Sequence, residues 1–398
     1  MNIFSPIKIF NLSSVLLLLT FSYVLFTDEI NQRAIYFTKN DAVPLVCGIV
    51  AFNLGYYTSA KALNLNQKTH SKYNPSANLV EGVRKIGVRL ILISLFGYIA
   101  WVLLDTKSWF TYSSFGHLRT IPGITTFTQF LPIGVACLYY VQKMYQTSIY
   151  RKTILFCILL VTYRTFINNE RLALLEVLIP LGVIFLYFNS KQTRTPWWIV
   201  YSLTLLMVFI LFAVTEYFRS WQSYKLRYGQ TFMDFTMDRF VSYYGTALNN
   251  GAIYQQIHPQ ISNLPTGILD WLWQFPVIGS LLTNLLTNQN LVVNWSQALK
   301  SFAGTDEYNN VNSYFMILSE SNLYILVAMF LTLGSFFQVL YSKLHNPKSP
   351  HVIVLGPLLI GILELPRLFW FGLGRAFPIV FSSFLIYLYI KKKEQTAG

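Results

Sequence analysis

The chain has 398 residues, of which 54% are hydrophobic, 17% aromatic and only 12% charged, and its mean hydropathy is +0.45. Soluble domains carry about 25% charged residues, so the composition excludes a water-soluble globular protein and points to a polytopic membrane protein. The formal net charge of +14 is spread over short polar stretches, without a basic domain or an aromatic-basic module, which argues against nucleic acid as a partner.

The first apolar run, "IKIFNLSSVLLLLTFSYVLF" from Ile7, is long enough to span and lacks a small-residue cleavage site. It reads as a retained helix rather than a signal peptide. Further runs of spanning length begin near Val43, Ile86, Pro122, Ile154, Leu172, Trp197, Leu323, Val352 and Leu373. The expected fold is an all-α integral membrane protein, a bundle of about ten transmembrane helices with one large loop. Residues 1–217 would hold helices one to seven, residues 218–322 the large loop, and residues 323–398 the last three helices and a basic tail. Cys47, Cys137 and Cys157 fall inside apolar runs and read as small buried hydrophobes without disulfide or zinc spacing.

Lysine and arginine in alternate connections set the orientation. Lys61, Lys68, Lys72, Arg84 and Lys85 occupy one such connection, Lys143, Arg151 and Lys152 the next, then Lys191 and Arg194, then Lys343 and Lys348. With Lys8 and the tail "KKKEQTAG", these define the cytoplasmic side. Both termini are then cytoplasmic and the large loop faces outward. A span through "ILDWLWQFPVIGSLLTNLL" (268–286) would invert everything after it. That segment is expected to be interfacial or re-entrant, with Trp271 and Trp273 at headgroup level.

Charged residues inside the apolar runs are the unusual feature, since each costs roughly 2.5–3.5 kcal/mol in hydrocarbon. "INNERLALLEVLIPLG" (167–182) carries Glu170, Arg171 and Glu176, and Arg164 precedes it. If the helix continues through the turn, Arg164, Asn168 and Arg171 share one face. Arg119, Arg367 and Arg375 fall at other outward turns, and the loop adds Arg219, Lys225, Arg227 and Arg239. Cations on the outward side run against the usual bias, and an anionic ligand would explain them through bidentate guanidinium contacts. The alternative is structural. Arg119, Arg367 and Arg375 could snorkel to headgroups, Arg171 could pair with Glu170 or Glu176, and Glu176 with an arginine of a neighbouring helix. In "FMDFTMDRFVSYYGTALNNGAIY", tyrosines and asparagines suit sugar contacts, although an ordinary amphipathic helix would look similar. Asp234 and Asp238 lack a third metal ligand.

Three stretches, "RTIPGITTFTQF" (119–130), "FINNERLALLEVLIP" (166–180) and "YYGTALNNGA" (243–252), resemble the Wzy-type O-antigen or oligosaccharide repeat-unit polymerases of Gram-negative inner membranes. A fourth, "NNVNSYFMILSESN" (309–322), is similar to the segment after the large loop in the wider polymerase and ligase superfamily. Ligases place a histidine where this chain has Val311, which favours the polymerase branch, and Asn322 stands where the family often has glycine.

The resemblance implies a GT-C-like, multi-spanning glycosyltransferase with its active face in the periplasm. Such an enzyme transfers a polysaccharide from undecaprenyl diphosphate to a new lipid-linked repeat unit. Arg171, with Arg164 or Arg375, would hold the diphosphate, and Arg119, Arg239 and Arg367 would add to its cationic surroundings. Glu170, Asp238 and Glu320 are the candidate bases, with no ranking among them. Tyr243, Tyr244, Asn249 and Asn250 would contact sugars. No cofactor or metal is expected, and a chain-length regulator is the implied partner. The alternatives are the ligase that transfers to lipid A-core, and a lipid-linked oligosaccharide flippase.

Overall fold

The computed structural model describes residues 4–27, 29–30, 33–66, 75–110, 121, 123–168, 170–189, 197–221, 231–261, 265–275, 279, 281–282, 285, 299, 310–345 and 348–396. Apart from a two-residue antiparallel pairing of Glu29–Ile30 with Arg33–Ala34, its regular structure is helical. In chain order the helices are α1 (Pro6–Thr27), α2 (Ala42–Asn66), α3 (Ala77–Leu104), α4 (Thr106–Phe110), α5 (Ile124–Thr128), α6 (Leu131–Tyr145), α7 (Arg151–Asn168) and α8 (Arg171–Asn189). There follow α9 (Trp197–Glu216), α10 (Phe232–Ile261), α11 (Asp270–Trp273), α12 (Ser313–Glu320), α13 (Leu323–Ser342), α14 (Val352–Glu364) and α15 (Phe377–Gln395).

Each of the ten runs read as a span contains a helix among the described residues. Among the described residues six segments are long and apolar enough to cross a membrane: Pro6–Thr27, Lys39–Leu63, Ala77–Leu104, Ile124–Tyr145, Arg171–Asn189 and Leu323–His345. Leu92, Phe96, Ile99 and Leu103 lie exposed along one face of α3, as do Leu12, Val15 and Leu19 along α1. Apolar side chains turned outward along whole helices need hydrocarbon around them, and a helix satisfies its own backbone there. The protein is a helical, multi-pass membrane protein.

Small residues let the longest helices meet closely. In α2, a Cβ on Gly55 would stand 2.0 Å from the Leu331 carbonyl oxygen of α13, and one on Gly334 would stand 2.1 Å from the Phe52 oxygen. Ser335 Oγ adds a 3.1 Å bond to the Gly55 carbonyl. Where the sequence reads one helix from Pro122, the structure has two, because α5 ends at Thr128 and α6 starts at Leu131 with Pro132 in its first turn.

The stretch 218–322, read as a loop lying on the membrane, contains the 30-residue helix α10. Its middle is buried: Ala247, Leu248, Asn249, Asn250 and Ile253 are each no more than 1% exposed. Trp271 stacks on Phe377 of α15 at 4.9 Å, and Trp273 Nε1 donates to the Pro265 carbonyl at 3.0 Å.

Buried asparagines tie α10 to its neighbours, because polar groups taken from water need partners. Asn249 Oδ1 accepts the Tyr36 backbone N–H at 2.7 Å, and Asn250 Nδ2 donates to the Asn310 carbonyl at 3.0 Å. The Asn312 backbone N–H donates to the Ala247 carbonyl at 2.9 Å. Its Oδ1 caps α12 through Tyr314 N–H at 3.0 Å, and its Nδ2 donates to the Pro366 carbonyl at 2.6 Å. Ser313 Oγ donates to the Leu365 carbonyl. The "VNSYF" stretch is thus a clamp that joins α10, α12 and the turn after α14.

Candidate active site

The α7–α8 turn, the α14–α15 turn, the end of α9 and the first half of α10 converge, and two ionic networks lie where they meet. The helix does not continue through "INNER": α7 ends at Asn168 and α8 begins at Arg171. Arg164 and Arg171 therefore do not share a face, and neighbours Glu170 and Arg171 serve different networks.

In the first network Arg164, 3% exposed, donates to Glu170 Oε2 at 2.7 Å and to Thr128 Oγ1 at 2.9 Å. Its guanidinium also lies 5.3 Å from the Trp101 ring centre. Arg375 Nη1 reaches Glu170 Oε1 at 2.9 Å. Its Nη2 and Nε reach Glu176 at 2.8 and 3.2 Å, and Trp370 Nε1 donates to Glu176 Oε1 at 3.1 Å. Glu176 thus pairs with an arginine of another element, one of the two structural readings open at the sequence level. Burial alone would raise the Glu170 carboxyl, but Arg375 and Arg164 outweigh it and hold it down at about 2. A carboxylate held so firmly ionised is a weak proton acceptor.

The second network surrounds Arg171. Its Nη2 donates to Glu216, a side chain only 1% exposed whose other oxygen forms an ion pair with Arg239, 2.8 Å from its Nε. The Arg171 guanidinium lies 4.0 Å from the Phe212 ring centre and 5.5 Å from that of Tyr243. Arg367 lies over the same Tyr243 ring at 4.7 Å, donates to the Tyr243 hydroxyl, and pairs with Glu364 at 2.6 Å. Cation–π contacts of this kind are worth about 0.5–2 kcal/mol each.

Arg171, Arg367, Glu364 and Tyr243 line a small cleft. Its polar lining is Arg171, Arg367, Glu364, Tyr243 and Tyr244, and its apolar lining includes Leu175, Val208, Leu211 and Phe240. The cleft thus brings two guanidinium groups and two tyrosine rings together with apolar side chains.

The remaining candidates sit elsewhere. Glu320 is fully engaged: its oxygens accept Tyr254 Oη at 2.6 Å, Thr266 Oγ1 at 3.2 Å, the Gly267 N–H at 2.5 Å and the Ile268 N–H at 2.8 Å. That makes it a clamp on the segment after α10. Asp238 is exposed on α10, whereas Arg239 beside it is buried. Asn249 and Asn250 are committed to backbone partners, and Tyr243 and Tyr244 alone of the four sugar candidates reach the cleft. Arg119, Lys225 and Arg227 lie outside the described residues. Among the described residues no three His, Cys, Asp or Glu side chains cluster as a metal site would need.

Sequence reasoning missed Glu216, Glu364 and Asp270. Asp270 begins α11, outside the candidate spans, and accepts Gln274 Nε2 at 2.8 Å and the Gly374 N–H at 3.2 Å. Burial pushes its carboxyl up to about 6, against the lowering effect of the Gly374 and Gln274 bonds. The ordinary value is near ~4. The folded state therefore favours the protonated form, whose stabilisation is complete below about pH 4 and is lost as pH rises through 6. Thermal midpoints in detergent should fall over that window, by up to about 3 kcal/mol of stability. The Asp270→Asn variant should lack this component of the pH slope, and an unchanged slope would show that Asp270 does not titrate there.

Comparison with family models, with curated proteins and with solved structures finds no match to this chain.

Proposed function

We propose that this protein is a bacterial inner-membrane polysaccharide polymerase. It joins oligosaccharide repeat units carried on undecaprenyl diphosphate at the periplasmic face, in the manner of the O-antigen polymerases that its sequence resembles. In this reading about ten helices span the bilayer, both termini are cytoplasmic, and residues 218–322 lie on the periplasmic side. The alternation of lysine and arginine among the short connections supports that orientation.

The observation that carries the reading is the pair of guanidinium groups, Arg171 and Arg367, over the Tyr243 ring in a cleft that also has apolar lining. A lipid diphosphate needs cations for the charge that develops on its leaving oxygen and a dry wall for its chain. The tyrosine hydroxyls and ring faces suit sugars. Arg164 and Arg375 stand behind this cleft as the frame that holds the two turns in place.

Deleting the gene should collapse the surface polysaccharide ladder on a gel to core plus a single repeat, with restoration by the wild-type gene. Single repeats would then be exported and ligated but not joined. Loss of every repeat-bearing band would instead assign the protein to ligation or export, and an unaltered ladder would remove it from this process.

A further inference from the structure

We infer that Glu364 is the carboxylate that takes the proton from the acceptor sugar hydroxyl, an inference that rests on the polymerase reading. The acidic side chains around the cleft differ in what their oxygens are doing. Glu170 and Glu176 are neutralised by Arg164 and Arg375, and Glu216 bridges Arg171 and Arg239. Glu320 holds four donors. Glu364 is different. Arg367 Nε and Nη2 both bind its Oε2, at 2.6 and 2.5 Å, and no described residue donates to Oε1. The side chain is 14% exposed and lines the cleft beside Arg171 and Tyr243.

The backbone under Glu364 is firmly held. Its carbonyl accepts the N–H groups of Arg367 and Leu368, each at 2.8 Å. The next two carbonyls, of Leu365 and Pro366, receive the Ser313 and Asn312 side chains. A general base must keep one oxygen aimed at the hydroxyl it serves, and a one-oxygen pairing with Arg367 on a clamped turn achieves this. In the transfer, the acceptor hydroxyl oxygen forms a bond to the donor's anomeric carbon. The bond from that carbon to the diphosphate oxygen breaks, and its electron pair leaves with the diphosphate. The hydroxyl proton passes to Glu364 Oε1.

The test uses the full-length protein in nanodiscs, with lipid-linked repeat units extracted from the deletion strain as substrate. Glu364→Gln is expected to lower polymer formation by about 10²–10⁴-fold, while binding of undecaprenyl diphosphate stays within about threefold of wild type. Glu364→Asp keeps the charge but withdraws it by one methylene, and should retain an intermediate rate with a displaced acidic limb of the pH–rate profile. Wild-type turnover in either variant overturns the inference, as does loss of binding in step with turnover. If the wild-type protein forms no polymer, the polymerase reading falls and this inference with it. If only the variants match wild type, the polymerase reading stands and Glu364 is dismissed.

Discussion

Replacing Arg171 by alanine is expected to abolish long-chain surface polysaccharide and leave core plus one repeat, with the protein still in the membrane. The guanidinium lies 4.0 Å from the Phe212 ring centre and pairs with buried Glu216, which fixes where its charge is presented. Removing one preorganised donor from a developing anion costs about 10²–10³ in rate. Alanine also leaves Glu216 with Arg239 as its one described cation, so lost function could arise from lost structure. The double variant Arg171→Met with Glu216→Gln separates the two. It removes charge from both partners, so it should recover membrane levels and thermal stability without recovering the ladder. A full ladder from either variant at wild-type abundance would show that Arg171 has no part in the reaction. Arg171→Lys should fall between, since an ammonium keeps the charge but loses the planar fork and the ring contact.

The second large effect is expected at Glu176. Its side chain is fully buried and holds Arg375 through two bonds and Trp370 through a third. Glu176→Ala would leave part of the Arg375 charge uncompensated and the indole N–H without its acceptor. Breaking a buried pair from one side costs about 3–5 kcal/mol, enough to remove most folded protein from the membrane. Replacing both partners, as in Glu176→Gln with Arg375→Met, takes out the charge while keeping an acceptor for Trp370, and should recover most of that loss. Thermal midpoints in detergent decide the matter: a Glu176→Ala protein within about 0.5 kcal/mol of wild type, the range of an ordinary surface change, would rule out a structural role for the pair.

What the sequence made legible was governed by the solvent. Apolar runs near the length of a bilayer report helices directly, and each of the ten read as spans contains a helix among the described residues. Helix α10 was harder to read because Asn249 and Asn250 interrupt its buried middle, and buried asparagines look the same in sequence as exposed ones. Their burial depends on carbonyl and amide partners at Tyr36 and Asn310, which are distant in the chain. The site was legible in residue type but not in pairing. Arg171 stood out as a cation inside an apolar run and Arg367 as one at an outward turn, whereas Glu364 drew no reading. Which arginine meets which carboxylate depends on the phase of α8, which starts at Arg171 after α7 has ended at Asn168, and no periodicity carries from one helix to the next.

The division of labour between Glu170 and Arg171 has a further consequence for how this protein can vary over evolutionary time. An α-helix advances 1.5 Å and turns about 100° for each residue. A residue gained or lost between Arg164 and Glu176 would swing one of these side chains out of its network while the other stayed behind. The connection from Gln146 to Tyr150, which joins α6 to α7 away from both networks, has no such constraint. Length is therefore the property under restraint at the "INNER" turn, and relatives of this protein should differ there in residue type long before they differ in residue number.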